Sequence, residues 1–233
     1  IILAGGTGSR LYPLTYGTSK QLLPVYDKPM IYYPLSTLLY AGIKDILIIS
    51  TPKDLPRYRD LLKNGSHLGI RIQFAEQASP NGIAEAFLIG EKFIADDNVC
   101  LILGDNIFHG DNFKSQLDKS YKNLEKGFST IYGYEVSNPK DFGVIEIDDN
   151  NDIYKIIEKP ESTKSNLIVS GLYFYTNKVI QYAKKLNPSN RGELEITDLN
   201  NIFLQNKKLK LICLDSNFSW SDTGTYDSLI KAS

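Results

Sequence analysis

The chain has 233 residues, 42% of them hydrophobic and 23% charged, which excludes a disordered or low-complexity polypeptide and allows one large domain or two small ones. A net charge of −1 excludes a broad basic field for nucleic acid or anionic lipid, so any anion site has to be local. No run approaches the roughly 18 apolar residues that span a bilayer, and no basic stretch precedes a short apolar one as in a signal peptide. The expectation is a cytoplasmic protein with no membrane and no nucleic-acid partner.

In chain order, the first strand is expected over Ile1–Ala4, an apolar opening that reads as if trimmed at its start. A helix over Tyr33–Tyr40 follows, with Pro34 near its beginning and Gly42 just past its end. Strands are expected at Asp45–Ser50 and Ile70–Phe74, then a helix over Ile83–Ile94, whose apolar residues repeat at three and four. Val99–Leu103 and Thr130–Tyr134 are the next strands. From Tyr134 to Tyr175 helical periods vanish, and strands Val144–Ile147, Ile153–Ile157 and Leu167–Tyr175 are separated by turn-rich pieces such as Asp148-Asp149-Asn150-Asn151-Asp152. Leu209–Leu214 closes the series. Apolar runs alternating with helical segments indicate a mostly parallel sheet covered by helices, interrupted by an antiparallel insertion. Cys100 and Cys213 each sit in an apolar run and read as buried, reduced thiols. There is no internal repeat and no low-complexity linker.

The sharpest motif is Leu3-Ala4-Gly5-Gly6-Thr7-Gly8-Ser9-Arg10-Leu11, directly after the first strand. A glycine-rich turn there brings backbone N–H groups against phosphate oxygens, which side chains would obstruct. It has no Gly-Lys-Ser or Gly-Lys-Thr ending and no third glycine of a dinucleotide fingerprint. Arg10 supplies a fork of donors and Lys20 a second positive charge; the blander reading, that the glycines only shape a tight turn, has to explain both cations as well. Leu101-Ile102-Leu103-Gly104-Asp105-Asn106 ends an apolar strand in a carboxylate, where α/β folds place ligand groups, so Asp105 is a candidate metal ligand. Asp111 is the better cap for the helix that follows. Asp222, in Trp220-Ser221-Asp222-Thr223-Gly224-Thr225, is the candidate partner carboxylate, with helix capping near Thr225 as its alternative.

Leu3–Leu11, Ser19–Tyr33 with Lys20-Gln21-Leu22-Leu23-Pro24-Val25-Tyr26-Asp27-Lys28-Pro29-Met30, and Gly104-Asp105-Asn106 resemble glucose-1-phosphate thymidylyltransferases. The likeness continues through Glu158-Lys159-Pro160, Val169–Tyr175, Arg191-Gly192-Glu193-Leu194-Glu195-Ile196-Thr197-Asp198 and Trp220–Thr225. It implies a single domain over 1–233 with a Rossmann-like, mostly parallel central sheet and an antiparallel sugar-binding insertion. The nucleotide half would run to about residue 135 and the sugar-phosphate half over about 136–233. It further implies that Gly5, Gly6, Thr7, Gly8 and Arg10 embrace the triphosphate of dTTP with Lys20 and Gln21 nearby. Gln77 and Gly82 would read the base, and Asp105 and Asp222 would bind Mg2+. Asn106, Gly143, Glu158 and Val169 would line the glucose 1-phosphate pocket, with Lys159 on its phosphate; a solvated strand-end pair is the plainer reading of Glu158 and Lys159. The same resemblance implies a homotetramer and the first step of dTDP-deoxysugar synthesis such as that of dTDP-rhamnose. Phe142 stands where many relatives carry Tyr, and longer relatives continue beyond Ser233 into a helical extension.

Such an enzyme joins two anions while a third, pyrophosphate, departs, so charge compensation is the main task of its residues. The sugar phosphate is already an anionic nucleophile, and no general base is needed; His67 and His109 lie outside every motif and read as surface or loop residues. Thymine and uracil differ by one methyl, worth about 0.8 kcal/mol when buried, roughly a fourfold preference, so UTP is expected to be used beside dTTP. Two other classes fit less well. A sugar-nucleotide sensor has no use for paired carboxylates and Arg10, and a metal-dependent glycosyltransferase usually carries Asp-X-Asp rather than Gly104-Asp105-Asn106.

Overall fold

A computed structural model describes residues 1–150, 152–215 and 217–233. The strands in chain order begin with β1 (Ile2–Leu3), β2 (Pro24–Val25), β3 (Lys28–Pro29), β4 (Asp45–Ser50), β5 (Arg71–Glu76), β6 (Val99–Leu103) and β7 (Asn106–His109). They continue as β8 (Ser129–Glu135), β9 (Gly143–Ile147), β10 (Ile153–Glu158), β11 (Leu167–Tyr175), β12 (Leu209–Cys213) and β13 (Ser219–Asp222). The helices are α1 (Tyr32–Tyr40), α2 (Leu55–Leu62), α3 (Glu85–Ile89), α4 (Glu91–Ile94) and α5 (Phe113–Glu125), then α6 (Lys178–Ala183), α7 (Ile196–Gln205) and α8 (Tyr226–Ala232). The chain divides into two units, Ile1–Pro80 with Ile102–Lys114 and Phe218–Ser233, and Asn81–Leu101 with Ser115–Asn217.

The first unit is built on parallel strands. Ile2 and Leu3 of β1 pair with Ile48 and Ile49 of β4 on one side and with Ile102 and Leu103 of β6 on the other, and β5 adds alongside β4. Ile46–Ile49 are all buried, as a strand covered on both faces requires. In α2, Leu55, Tyr58 and Leu62 recur at three and four and all face inward. Two short ladders lie outside this sheet: β2 with β3, and β7 with β13. The second of these buries an aromatic cluster of Phe108, Phe113 and Phe218, with ring centroids 5.0 to 6.4 Å apart.

The second unit carries β8–β12. Antiparallel pairings join β10 to β9, β9 to β11 and β11 to β8, while β12 runs parallel to β8. The antiparallel insertion expected between Tyr134 and Tyr175 is therefore present, and among the described residues its strands are interrupted by no helix beyond a 3-10 turn at Pro139–Asp141. Asn151, in the turn-rich piece before β10, lies outside the described residues. β11 is buried along its whole length, and Tyr175 at its end sits in a cluster with Phe87, Phe203 and Tyr182. The hydroxyl of Tyr175 donates to Asn200 Oδ1 at 2.5 Å, satisfying a buried phenol.

Three sequence expectations are corrected. The helix expected over Ile83–Ile94 is two short helices, because Gly90 (φ −83°, ψ 4°) ends α3 before α4 begins. Asp111 does not precede α5 directly; Asn112, with φ 60°, does. Cys100 is buried but Cys213 is exposed: it is the last residue of β12, at the open end of a face whose first residue, Leu209, is buried. Among the described residues no helix is long and apolar enough to cross a membrane.

Phe203 is fully buried, 5.2 Å from the Tyr175 ring and 4.8 Å from that of Tyr182. Phe203→Ala is expected to cost about 3–5 kcal/mol of stability, measured as a shift of the urea midpoint at constant slope. A loss under about 1 kcal/mol would show that this cluster lies outside the cooperative core.

Candidate active site

The first unit gathers its charged candidates where β1 and β6 end. Beyond β1 the chain turns through Gly6 (φ 92°) and Gly8 (φ 62°), left-handed backbone that glycine adopts without strain, and Gly8 leads into a 3-10 turn over Ser9–Leu11. The Thr15 hydroxyl donates to the Gly8 carbonyl at 2.8 Å and fixes the turn. Gly6, Thr7 and Arg10 are exposed, so the loop presents backbone and one guanidinium to solvent. At Gly5 a Cβ would lie 3.1 Å from Gln77 Oε1, so this buried glutamine packs against the glycine loop.

Gln21, expected near the triphosphate, is buried beneath the loop. Its carboxamide oxygen accepts from the hydroxyls of Ser19 (2.7 Å) and Tyr58 (3.3 Å), and its amide nitrogen donates to the Gly5 carbonyl at 3.4 Å. Ser50 Oγ adds a 2.8 Å bond to the Ala4 carbonyl. This polar support orders the turn that carries Lys20.

Lys20 points at Asp105, its ammonium bonded directly to Oδ2. The side chain of Asn106 donates to Asp105 Oδ1 at 3.0 Å and in turn accepts from the Trp220 indole N–H at 2.8 Å. Asn106, a candidate for the sugar pocket, is thus itself buried and braces Asp105. Gly104 is required just before: a Cβ there would lie 3.0 Å from both Leu3 O and Gln21 Cγ.

Asp222 arrives from far along the chain. In the β7–β13 ladder it faces Asn106, and the next residue, Thr223, donates to the Asp105 carbonyl from both its amide (3.1 Å) and its hydroxyl (2.8 Å). The following helix is capped by Thr225 with Ser228 in a reciprocal box, so Asp222 is not its cap. Oδ1 of Asp222 is buried without a hydrogen-bond partner. Burial and the nearby charge of Asp105 push its carboxyl up to about 6, against the pull of Lys20 and Arg10. Burial also acts upward on Asp105, but Lys20 outweighs it and holds that carboxyl below the usual range; Lys20 is raised in return.

Two carboxylates, one of them with an orphaned oxygen, fit a divalent cation that takes one or two carboxylates and completes its shell with substrate phosphates. Among the described residues no group of three or more His, Cys, Asp and Glu forms an all-protein metal cage. His67 and His109 are both exposed.

The second unit assembles the sugar-side candidates around Glu158, the last residue of β10. Glu158 faces Gly143 in the ladder, and a Cβ on Gly143 would lie 2.9 Å from Thr197 Oγ1, 3.5 Å from Glu158 Oε2 and 3.8 Å from Val169 Cγ2. The absent side chain leaves a small recess among these three. Thr197 donates to Glu158 Oε2 at 2.5 Å, and Arg191 reaches Oε1 at 3.3 Å. Lys159 has φ 41°, a left-handed conformation strained for lysine, anchored by its N–H to the Phe142 carbonyl at 3.0 Å. Gly82 lies in the same unit with φ 103°. Arg191 and Thr197 were not singled out as site residues from sequence; their signal was the string Arg191–Asp198, whose polar density before α7 exceeds what a cap needs.

The sequence profile of the nucleotidyl transferase family matches residues 1–233. The glucose-1-phosphate thymidylyltransferase of Neisseria gonorrhoeae is 54% identical over 232 residues, covering 100% of this chain and 80% of the relative. That of Mycolicibacterium smegmatis is 51% identical over 233 residues, with the same coverage. A Bacillus anthracis protein described as a glucose-1-phosphate thymidylyltransferase, solved with sucrose, superposes with a TM-score of 0.91 at 40% identity, covering 99% of this chain and 92% of that one. A UDP-glucose pyrophosphorylase complexed with UDP-glucose superposes with a TM-score of 0.82 at 26% identity, over 99% and 95%.

An aspartate whose folded value is raised holds its proton where the unfolded chain has released it, so its contribution to stability falls as pH rises from about 4 to about 6. In chelator-containing buffer, Asp222→Asn is therefore expected to raise the melting midpoint by about a few degrees at pH 8, with a smaller gain at pH 5. Equal gains at both pH values in calorimetry would show that this carboxyl does not titrate in that window.

Proposed function

Because the chain belongs to the nucleotidyl transferase family, we propose that it transfers a thymidylyl group from dTTP to glucose 1-phosphate, giving dTDP-glucose and pyrophosphate, with Mg2+ as its metal. The observation that carries this reading is the meeting of Lys20, Asp105 and Asp222 beside a glycine loop that ends in an exposed Arg10. A phosphate oxygen of the sugar 1-phosphate attacks the α-phosphorus; the bond from that phosphorus to the bridging oxygen breaks, and the electron pair leaves on pyrophosphate. No proton has to move, because the attacking phosphate is already an anion.

The residues divide the work by charge. Arg10 and the loop N–H groups receive the negative charge that grows on the leaving pyrophosphate. Lys20 neutralises the nucleotide phosphates, and its contact with Asp105 keeps its ammonium aimed before substrate arrives. In the second unit, Glu158 accepts sugar hydroxyls at the recess beside Gly143, while Lys159 holds the attacking phosphate. Asp105 and Asp222 are the residues to hold the Mg2+, which when bound supplies Lewis-acid neutralisation of the phosphate oxygens.

The test is pyrophosphate release with Mg2+, across several sugar 1-phosphates and triphosphates. Fastest release is expected with dTTP and glucose 1-phosphate, and no release with that pair would reject the reading. Asp105→Asn should keep nucleotide binding but lower kcat by about 100-fold or more; turnover at the parental rate would remove Asp105 from the mechanism. UTP should also be used, at about a fourfold disadvantage, a side activity supported by likeness to a UDP-glucose pyrophosphorylase. Complete rejection of UTP would mean the base is chosen by more than one methyl contact.

A further inference from the structure

Gly82 meets the backbone of a distant segment at closer range than any side chain would permit. A Cβ on it would lie 2.4 Å from Leu194 O, 2.5 Å from Leu194 N and 2.8 Å from Leu194 C, and its φ of +103° is already one that other residues rarely adopt. Both polar backbone groups of Leu194 are engaged by the neighbours of Gly82: Leu194 N–H donates to the Asn81 carbonyl at 2.6 Å, and Leu194 O accepts from Ala84 N–H at 3.2 Å. These contacts form a backbone clasp around Gly82, wholly inside the second unit.

The clasped segment has no helix or strand of its own. Residues 186–195 join α6 to α7 as turns and irregular backbone. From its middle this segment reaches Glu158 through Arg191, at 3.3 Å on one carboxylate oxygen, and α7 directly after it places Thr197 at 2.5 Å on the other. Arg191 is also tied to Glu195 at 2.7 Å, which stiffens the span around Leu194. Fixing Leu194 therefore constrains Arg191 and, through it, one oxygen of Glu158, while α7 with Thr197 is also docked on β10 by Asn201, which bonds both backbone groups of Ile156. An irregular segment that lacks regular pairing depends on such isolated backbone bonds for its order.

We propose that Gly82 is a positioning residue for the sugar-phosphate side of the reaction: through the backbone of Leu194 it holds the Arg191–Thr197 segment, and through that segment the Glu158 carboxylate. The proposal rests on the function proposed above and gives Gly82 a role separate from the base contact that family likeness implies. It makes order in the sugar recess depend on a residue that never touches the sugar.

The experiment uses Gly82→Ala and, as a second cut through the same clasp, Ala84→Pro, which removes the N–H given to Leu194 O at a φ of −67° that proline already adopts, at a buried position. For Ala84→Pro the KM for glucose 1-phosphate is expected to rise about tenfold with the KM for dTTP within about threefold of the parent, and for Gly82→Ala the sugar KM is expected to rise at least as much, whatever its base contact adds to the dTTP KM. Amide exchange across residues 189–195 should accelerate while the β11 core stays protected, and the effect on the sugar KM should disappear in a Glu158→Gln background. A rise in the dTTP KM alone would leave Gly82 as a base contact and overturn the proposal, as would effects additive with Glu158→Gln. If Gly82→Ala does not fold, Ala84→Pro decides by the same readouts. Failure of the unsubstituted protein to turn over dTTP with glucose 1-phosphate would sink the proposed function, whereas unchanged amide exchange at 189–195 in the variants would sink the clasp, so the two failures are read independently.

Discussion

One ammonium, bonded to one carboxylate and felt by a second, sets the terms for the rest of the first unit. Lys20 neutralises Asp105, but a single positive charge does not neutralise two acids, and Asp222 is left raised with a buried oxygen that nothing satisfies. Leaving a buried polar atom unpaired is costly, and a chain selected for stability alone would place an amide or an apolar group at Asp222. The surrounding structure holds the arrangement in place: the Trp220–Asn106–Asp105 relay from one side, both Thr223 groups on the Asp105 carbonyl, and the buried Ser19, Gln21 and Tyr58 under the Lys20 turn. Local frustration supported by a rigid frame is what a preorganised charge site requires.

The same logic recurs in the second unit with opposite polarity. There the central group is an anion, Glu158, with Thr197 bonded to one oxygen, Arg191 to the other and the Lys159 ammonium 4.0 Å away. A carboxylate held from two sides loses little freedom when a ligand arrives, so it binds by completing a geometry rather than creating one. The strained φ of Lys159 belongs to this pattern, held by its N–H on the Phe142 carbonyl next to the Gly143 recess.

Glycines recur where backbone has to approach something closely, and for different reasons. Gly6 and Gly8 supply left-handed turns, Gly104 lets β6 pass against Leu3 and Gln21, Gly143 leaves a recess, and Gly82 admits the backbone of Leu194. From sequence these positions look alike. The partners of Gly104 and Gly82, Leu3 and Leu194, lie far along the chain, and only the folded chain tells a left-handed turn from a packing contact.

The amino-acid order by itself determined whatever rests on local period and local chemistry. The long apolar runs at 45–50, 99–103 and 167–175 became β4, β6 and β11 at those bounds, and the glycine turn with Arg10 followed β1, because the length of a continuous apolar run and glycine backbone freedom are properties of a few neighbouring residues. Tertiary structure alone decided the pairing of β7 with β13, which brings Asp222 opposite Asn106 across more than a hundred residues, and the burial of Gln21 beneath the loop it was expected to flank. It also decided the exposure of Cys213, the break at Gly90 and the grip of Arg191 and Thr197 on Glu158. The four-residue strands β7 and β13 are too short to show a period, and their pairing is set by burial of Phe108, Phe113 and Phe218 together, a nonlocal hydrophobic gain that no window along the chain contains.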